Sequence, residues 1–437
     1  SRQSDEFMWD HPDMLLVFAA GNDGYDSDNG VIDNDSIGAP ATAKNVLTVG
    51  AAESDRPSGS GGFSSRTYGS LWPGDYPFAP INGDLVSRSA DGTNQGMAAF
   101  SSRGPTDDGR FKPEVVAPGT DIVSVRSRAP GAGTGWGVNA NTSYTFNGGT
   151  SMSTPLVAGA AALVREYFVT YRDTEPSAAL VKAVLQHGAR PMAPGQYGVG
   201  AEREVPDAIP NNVAGWGHVD LESSLFPADT IWLHVDERSG PGTPGEQREH
   251  TFYAGTGTVK VTMTYTDFPA TAGSGVKLVN DLDLSLRGPG ESDISAGQDR
   301  INPSERLVAT IPVAGVYTAR VEVFNAPGGP QPYALVISGP VADRPVIAHT
   351  PLANTAETGL AYRVEATVSS VVALEPGAVT LAWKRDGDTG DFVRVTMTEV
   401  TNRMYEGWIP AQANPSEISY YLAASSGVFT AVHPGGA

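Results

Sequence analysis

The sequence predicts a multidomain chain, with an α/β unit over residues 1–228 followed by two antiparallel β-sandwich domains over 229–342 and 343–437. Three observations carry this reading. At 437 residues the chain exceeds the size at which a single hydrophobic core stops growing. Its 51 Gly and 33 Pro favour sheets and loops over a helical bundle. Near residue 229 the spacing of apolar residues changes from a mixed helix and strand pattern to short alternating runs.

Leu15–Ala20, ending at Gly21, and Asn45–Val49, ending at Gly50, are apolar runs bounded by turn formers, as in buried parallel strands. Ser151 to Phe168 is predicted as a helix buried on every face, because small and apolar residues occupy its whole circumference. Pro176 to His187 is a second helix, with Ala179, Leu180, Ala183 and Val184 at helical spacing behind a first-turn Pro. Beyond 229, Lys260–Tyr265 and Tyr317–Val323 alternate like half-buried strands. A Pro-bearing joint at 339–346 leads to Tyr362–Val368, Val379–Lys384, Phe392–Met397 and Ile418–Ala423, strands of a sandwich of immunoglobulin-like size.

The charge balance of 29 basic against 49 acidic residues, a net −20, opposes nucleic acids and anionic membranes. Without cysteine there are no disulfides, thiol nucleophiles or thiolate metal sites. No apolar run reaches the roughly 18 residues of a membrane span. The start, Ser1-Arg2-Gln3-Ser4-Asp5, has neither a basic leader nor an initiator Met, and reads as an internal cut or a processed end.

The chemistry concentrates in Asn147-Gly148-Gly149-Thr150-Ser151-Met152-Ser153-Thr154-Pro155-Leu156-Val157-Ala158-Gly159. A Ser between glycines and a helix start lies where N–H groups and the positive helix end favour an oxyanion beside its Oγ. The same Ser could equally serve as the helix N-cap. The segment closely resembles the nucleophile motif of subtilisin-like serine proteases, with Ser153 where Ala is usual. Three further blocks resemble that family in order: Ala19-Ala20-Gly21-Asn22-Asp23-Gly24, Phe100–Pro105 with Lys112–Gly119, and Gly215-Trp216-Gly217-His218-Val219-Asp220.

The resemblance implies a serine endopeptidase acting on proteins or peptides and secreted from the cell. It assigns Ser151 as nucleophile, Asn22 with the Ser151 N–H as oxyanion donors, and Ala19, Ala20, Gly21, Gly149 and Thr150 as substrate-binding residues. The family's Asp-Thr/Ser-Gly and His-Gly-Thr-His motifs are absent from these 437 residues, and none of the seven histidines is followed by Gly-Thr. The chain therefore reads as the C-terminal part of the catalytic domain, expecting as its partner an N-terminal segment with the triad Asp and His. Read otherwise, it is a catalytically inactive scaffold or one half of a split enzyme.

Thr264-Tyr265-Thr266-Asp267, Leu278–Leu284 and Phe324–Ala334 resemble the jelly-roll-like domain of the oxidant-tolerant alkaline subtilases. In a strand Asp281 and Asp283 share one side and Leu282 and Leu284 the other. With Asp267 and Asn280 they suit a structural Ca²⁺, or else a solvated polar face. The acidic run Asp23, Asp26, Asp28, Asp33 and Asp35 lacks EF-hand spacing and reads as a solvated loop.

Overall fold

The computed structural model describes every residue except 88–95, 199–202, 226–230, 290–291, 343–344, 356–358, 370–373, 375, 402, 413–415, 427–428 and 434–437. The expected domain boundaries at 228/229 and at 343 fall outside the described residues.

Helix α1 (Arg2–Asp10) precedes a three-stranded parallel sheet of order β1-β2-β3, formed by β1 (Val17–Ala19), β2 (Leu47–Ala52) and β3 (Val115–Pro118). Between β2 and β3 lies the short helix α2 (Tyr68–Leu71). A small antiparallel sheet of β4 (Ile122–Val125), β5 (Gly137–Val138) and β6 (Tyr144–Asn147) delivers the chain to α3 (Thr150–Arg172). Helices α4 (Ala178–Gly188) and α5 (Leu221–Leu225) complete this part. Leu47, Val49, Val115 and Ala117 of the sheet pack with Val157, Ala160, Val164 and Phe168 of α3.

The expectation that α3 is buried on every face is corrected here. Val157 and Val164 are sealed, but Leu156 (45% exposed), Leu163 (48%) and Val169 (45%) line an open apolar face. The residue types are as expected, but among the described residues no element covers that side. Ser177 caps α4, its Oγ accepting the Leu180 N–H at 3.0 Å, so Pro176 lies one residue outside the helix rather than in its first turn.

The middle region holds two antiparallel sheets around one apolar cluster. Sheet order β11-β10-β13-β8-β15 comprises β8 (Gln247–Ala254), β10 (Asp281–Arg287), β11 (Asp293–Ala296), β13 (Gly315–Asn325) and β15 (Val341–Ala342). Sheet order β12-β9-β14-β7 comprises β7 (Ile231–Glu237), β9 (Gly257–Thr264), β12 (Ser304–Ile311) and β14 (Tyr333–Gly339). Leu282, Leu284 and Leu286 alternate into that cluster beside Val321 of the same sheet, with Val261, Met263 and Leu335 coming from the other. The last region pairs β16 (Val346–Ala348), β17 (Tyr362–Ser369), β21 (Met404–Ile409) and β20 (Thr398–Thr401) in one sheet. Its second sheet is β19 (Val393–Thr396), β18 (Val379–Arg385), β22 (Ile418–Ser426) and β23 (Phe429–His433), and Val364, Leu381 and Leu422 sit in the core between them.

All eleven residues of α4 are buried, including Lys182, Gln186 and His187, because β9 and β14 cover the side that a lone α/β unit would leave wet. His187 bonds Thr262 Oγ1 at 2.9 Å and Ser338 Oγ at 2.7 Å, and Thr264 Oγ1 donates to Gln186 Oε1 at 2.7 Å. Lys44 reaches across the same junction to Asp267 Oδ2 at 2.5 Å and to the carbonyls of Phe268 and Lys277.

Candidate active site

Three segments meet at the start of α3. Gly149 is the N-cap, at φ 137, a backbone conformation that glycine tolerates. Ser151 therefore lies in the first helical turn and is not the cap, which removes the capping alternative. Its side chain is exposed, and the helix start places its N–H among the free donors of the first turn.

Asn22 faces it from the loop after β1. Its Oδ1 accepts the Thr150 N–H at 2.8 Å and the Thr150 hydroxyl at 3.0 Å. A backbone N–H can only donate, so the amide oxygen must face Thr150 and Nδ2 is turned outward. Thr150 Oγ1 also accepts the Gly21 N–H at 3.3 Å, which ties the loop to the helix twice. A Cβ on Gly149 would sit 3.3 Å from Asn22 Nδ2, so the approach also needs a small residue there.

The Phe100–Pro105 segment braces this loop. Ser102 Oγ accepts the Asp23 N–H at 3.1 Å and the Ser102 N–H donates to the Gly21 carbonyl at 3.0 Å. At Gly21, φ is 114 and a Cβ would come within 2.7 Å of Ser102 Oγ. Ala20 is buried and donates to the Val49 carbonyl, while Ala19 ends β1. Gly21, Gly149 and Thr150 thus meet at Asn22, while Ala19 and Ala20 lead from β1 into this loop.

The acidic loop after Asn22 is not simply solvated. Asp26 is buried, and its carboxylate accepts the N–H groups of Asp28, Asn29 and Gly30, closing the turn on itself.

No imidazole hydrogen-bonds Ser151 Oγ among the described residues. His187 is held by Thr262 and Ser338, His218 by its neighbour's carbonyl, and His250 by Tyr333. His11 stacks on Phe7, His234 packs edge-on to Phe168, and His349 lies beside His433 in the last region.

The expected calcium ligands are otherwise engaged. Asp267 is buried against Lys44 and also accepts the Val279 and Asn280 N–H groups at 2.8 Å each. Asn280 Oδ1 accepts the Gly328 N–H. Arg300 spans Asp281 and Asp283, and its guanidinium lies 3.7 Å from the Phe324 ring centroid. Burial pushes the Asp281 carboxyl up to about 6, with Arg300 pulling the other way. Lys44 thus pairs with Asp267, and Arg300 with both Asp281 and Asp283. Among the described residues no group of three or more His, Asp or Glu side chains is arranged to hold a metal.

Residues 1–217 match the sequence model of the Subtilase family. Over these residues the chain is a subtilase. Among relatives, a serine protease/ABC transporter B family protein, tagD, of Dictyostelium discoideum is 26% identical over 441 residues, covering 77% of this chain and 24% of tagD. Serine protease AprX of Bacillus subtilis is 30% identical over 202 residues, covering 44% of this chain and 35% of AprX. This subtilase chain thus spans about a quarter of tagD's length and about a third of AprX's. Among solved structures, the prenylagaramide maturation protease PagA aligns over 51% of this chain and 53% of its own, at TM-score 0.30 and 20% identity.

One wall of the subtilase site was not legible in the motifs. Trp136, from a Gly-rich loop, lies so close to Gly148 that a Cβ there would fall 1.9 Å from the indole. The only sequence signal was an isolated Trp flanked by glycines twelve residues before the nucleophile motif's Gly148.

Proposed function

We propose that this chain carries the nucleophile and oxyanion hole of a secreted serine endopeptidase. Ser151 Oγ attacks the scissile carbonyl carbon, its proton passes to a general base, and the carbonyl oxygen becomes an oxyanion. The Ser151 N–H and Asn22 Nδ2–H donate to that oxygen. Collapse expels the amine, which takes the proton, and leaves an acyl-enzyme that water hydrolyses. The observation that carries this reading is the pair of hydrogen bonds that the Thr150 N–H and hydroxyl donate to Asn22 Oδ1, which leaves the amide N–H₂ turned away from Thr150.

The base and its orienting carboxylate are read as the contribution of a further segment, joined to this chain or separate. Two features support this. Among the described residues strand β1 pairs on one side only, and parallel sheets are ordinarily covered. The apolar face of α3, with Leu156 and Leu163, lies open next to it. A strand and its flanking helix would pair with the first and bury the second. A second reading, an inactive scaffold or one half of a split enzyme, is favoured by Ser151 Oγ having no imidazole partner among the described residues.

A fluorophosphonate probe decides between them. It should label Ser151 in material that also contains the Asp- and His-bearing segment, label the isolated chain poorly, and spare Ser151→Ala. Labelling of another serine overturns the nucleophile, and no labelling in any preparation favours the scaffold. Asn22→Ala should lower kcat by about 10² to 10³, the loss typical of this family's oxyanion donor, with KM nearly unchanged.

A further inference from the structure

The loop that carries Asn22 is held from three directions. Thr150 holds the Asn22 side chain, and Ser102 braces the backbone at Gly21 and Asp23. Both of these come from the motif segments. The third support comes from outside any motif, from the stretch Trp72–Pro80 that follows α2. The Asp26 N–H donates to the Asp75 carbonyl at 3.0 Å, and a Cβ on Gly30 would fall 2.0 Å from the Ala79 carbonyl oxygen. Closer to Asn22, the Tyr76 hydroxyl donates to the Gly24 carbonyl at 2.8 Å.

Gly24 is buried, and its N–H goes to the Phe100 carbonyl at 2.9 Å. Among the described residues its carbonyl has Tyr76 as its hydrogen-bond partner. A Cβ on Gly24 would lie 2.4 Å from the Ala99 carbonyl oxygen, so the backbone of 99–101 closes one face of the loop. Tyr76 is itself fixed. It is 3% exposed, and its ring meets Tyr68 edge-on at 5.2 Å and 75°. Tyr68 in turn bonds the buried Glu53 carboxylate, just past the end of β2. Burial pushes the Tyr76 phenol above its ordinary range, which keeps it a donor.

We propose that Tyr76 is a positioning residue, which sets the oxyanion donor Asn22 by pinning the Gly24 carbonyl two residues along the loop. The inference rests on Asn22 being that donor. A buried carbonyl stripped of its donor pays the whole desolvation penalty, so without the hydroxyl the Gly24 peptide turns toward water and carries Asn22 with it. An oxyanion donor acts only within hydrogen-bond reach of an oxygen that exists after attack. A small displacement therefore lowers turnover and leaves ground-state binding alone.

The test is a double-mutant cycle in the complete enzyme, with Tyr76→Phe, Asn22→Ala and the pair. Tyr76→Phe keeps the ring and removes the hydroxyl. It should lower kcat about tenfold, with KM changed by less than about twofold. With Asn22 already replaced, the same change should alter kcat by less than about twofold, because the group it sets is gone. A loss of kcat that is equal in both backgrounds, or no loss at all, overturns the positioning role. Full activity in Asn22→Ala overturns the oxyanion reading instead. The chain by itself gives a readout that needs no turnover: in ¹⁵N NMR, Tyr76→Phe should shift and broaden the Asn22 side-chain amide signals. The amide of Asn45, buried and bonded to the Asp5 and Asp267 carbonyls, should stay in place. An unmoved Asn22 amide overturns the proposal, and movement of both amides shows general loosening and overturns it too.

Discussion

The middle and last β regions are built alike, each from two antiparallel sheets around one apolar cluster, yet they relate to the α/β part in opposite ways. The middle region shares its core with α4: Trp232, Ala334 and Val336 sit in one cluster with Leu180, Val184 and the parallel sheet. In the last region the bonds of His349, Arg363 and Arg385 close on Tyr420, Glu406 and Gln412, all within that region. Similar sheets thus serve in one place as half of a shared core and in the other as a core of their own. What decides is whether a polar side chain finds its partner across the boundary, as Lys44, His187 and Ser177 do.

The largest expected effect comes from breaking the buried pair. Lys44→Ala leaves the wholly buried Asp267 without its cation, which should cost about 3–5 kcal/mol. Calorimetry should show the main transition, of the α/β and middle regions together, falling by that amount while the transition of residues 346–433 stays in place. A fall in both would show that the last region is coupled after all.

A smaller effect should follow pH. Burial, helped by Glu204, raises Asp84 to about 8, and burial raises Glu204 to about 7. Both folded values exceed the unfolded ones, so the folded state holds more protons and loses their stabilisation as pH rises from about 4.5 through 8. Asp84→Asn with Glu204→Gln should therefore gain on the wild type in melting temperature between pH 5 and pH 8, in the main transition only. A constant difference across that range would show that neither carboxyl is held protonated.

Arg300→Ala should cost less, about 1 kcal/mol or below, because the guanidinium is 34% exposed and its pairs are partly screened. With Arg300 present, millimolar Ca²⁺ and chelator should give the same melting temperature. With Arg300 removed, Asp281 and Asp283 repel each other, and Ca²⁺ should then stabilise the variant. A wild-type transition that rises with Ca²⁺ would show that Arg300 does not serve as the cation. Smallest of all, ending the chain after residue 342 should leave the main transition where it was.

The local patterns carried much of this protein. The apolar run at 15–20 holds β1 at Val17–Ala19, short of Gly21, whereas β2 starts at Leu47 and runs through Gly50 to Ala52, so that glycine does not end the strand; Leu282, Leu284 and Leu286 point inward because a strand alternates. The nucleophile motif was legible because an oxyanion site needs glycines and a helix start next to each other in the chain. Four ordered blocks were enough to indicate the family. Contacts distant in sequence were decided only by the tertiary structure. The spacing of α4 suggested one apolar face, but β9 and β14 bury its polar side too, and that depends on partners about 75 to 150 residues away. Asp281 and Asp283 looked like a cation site because closely spaced carboxylates need positive charge, but the sequence does not say which charge. The fold brings Arg300 to them, just as it brings Trp136 to Gly148, and neither pairing has a local signature.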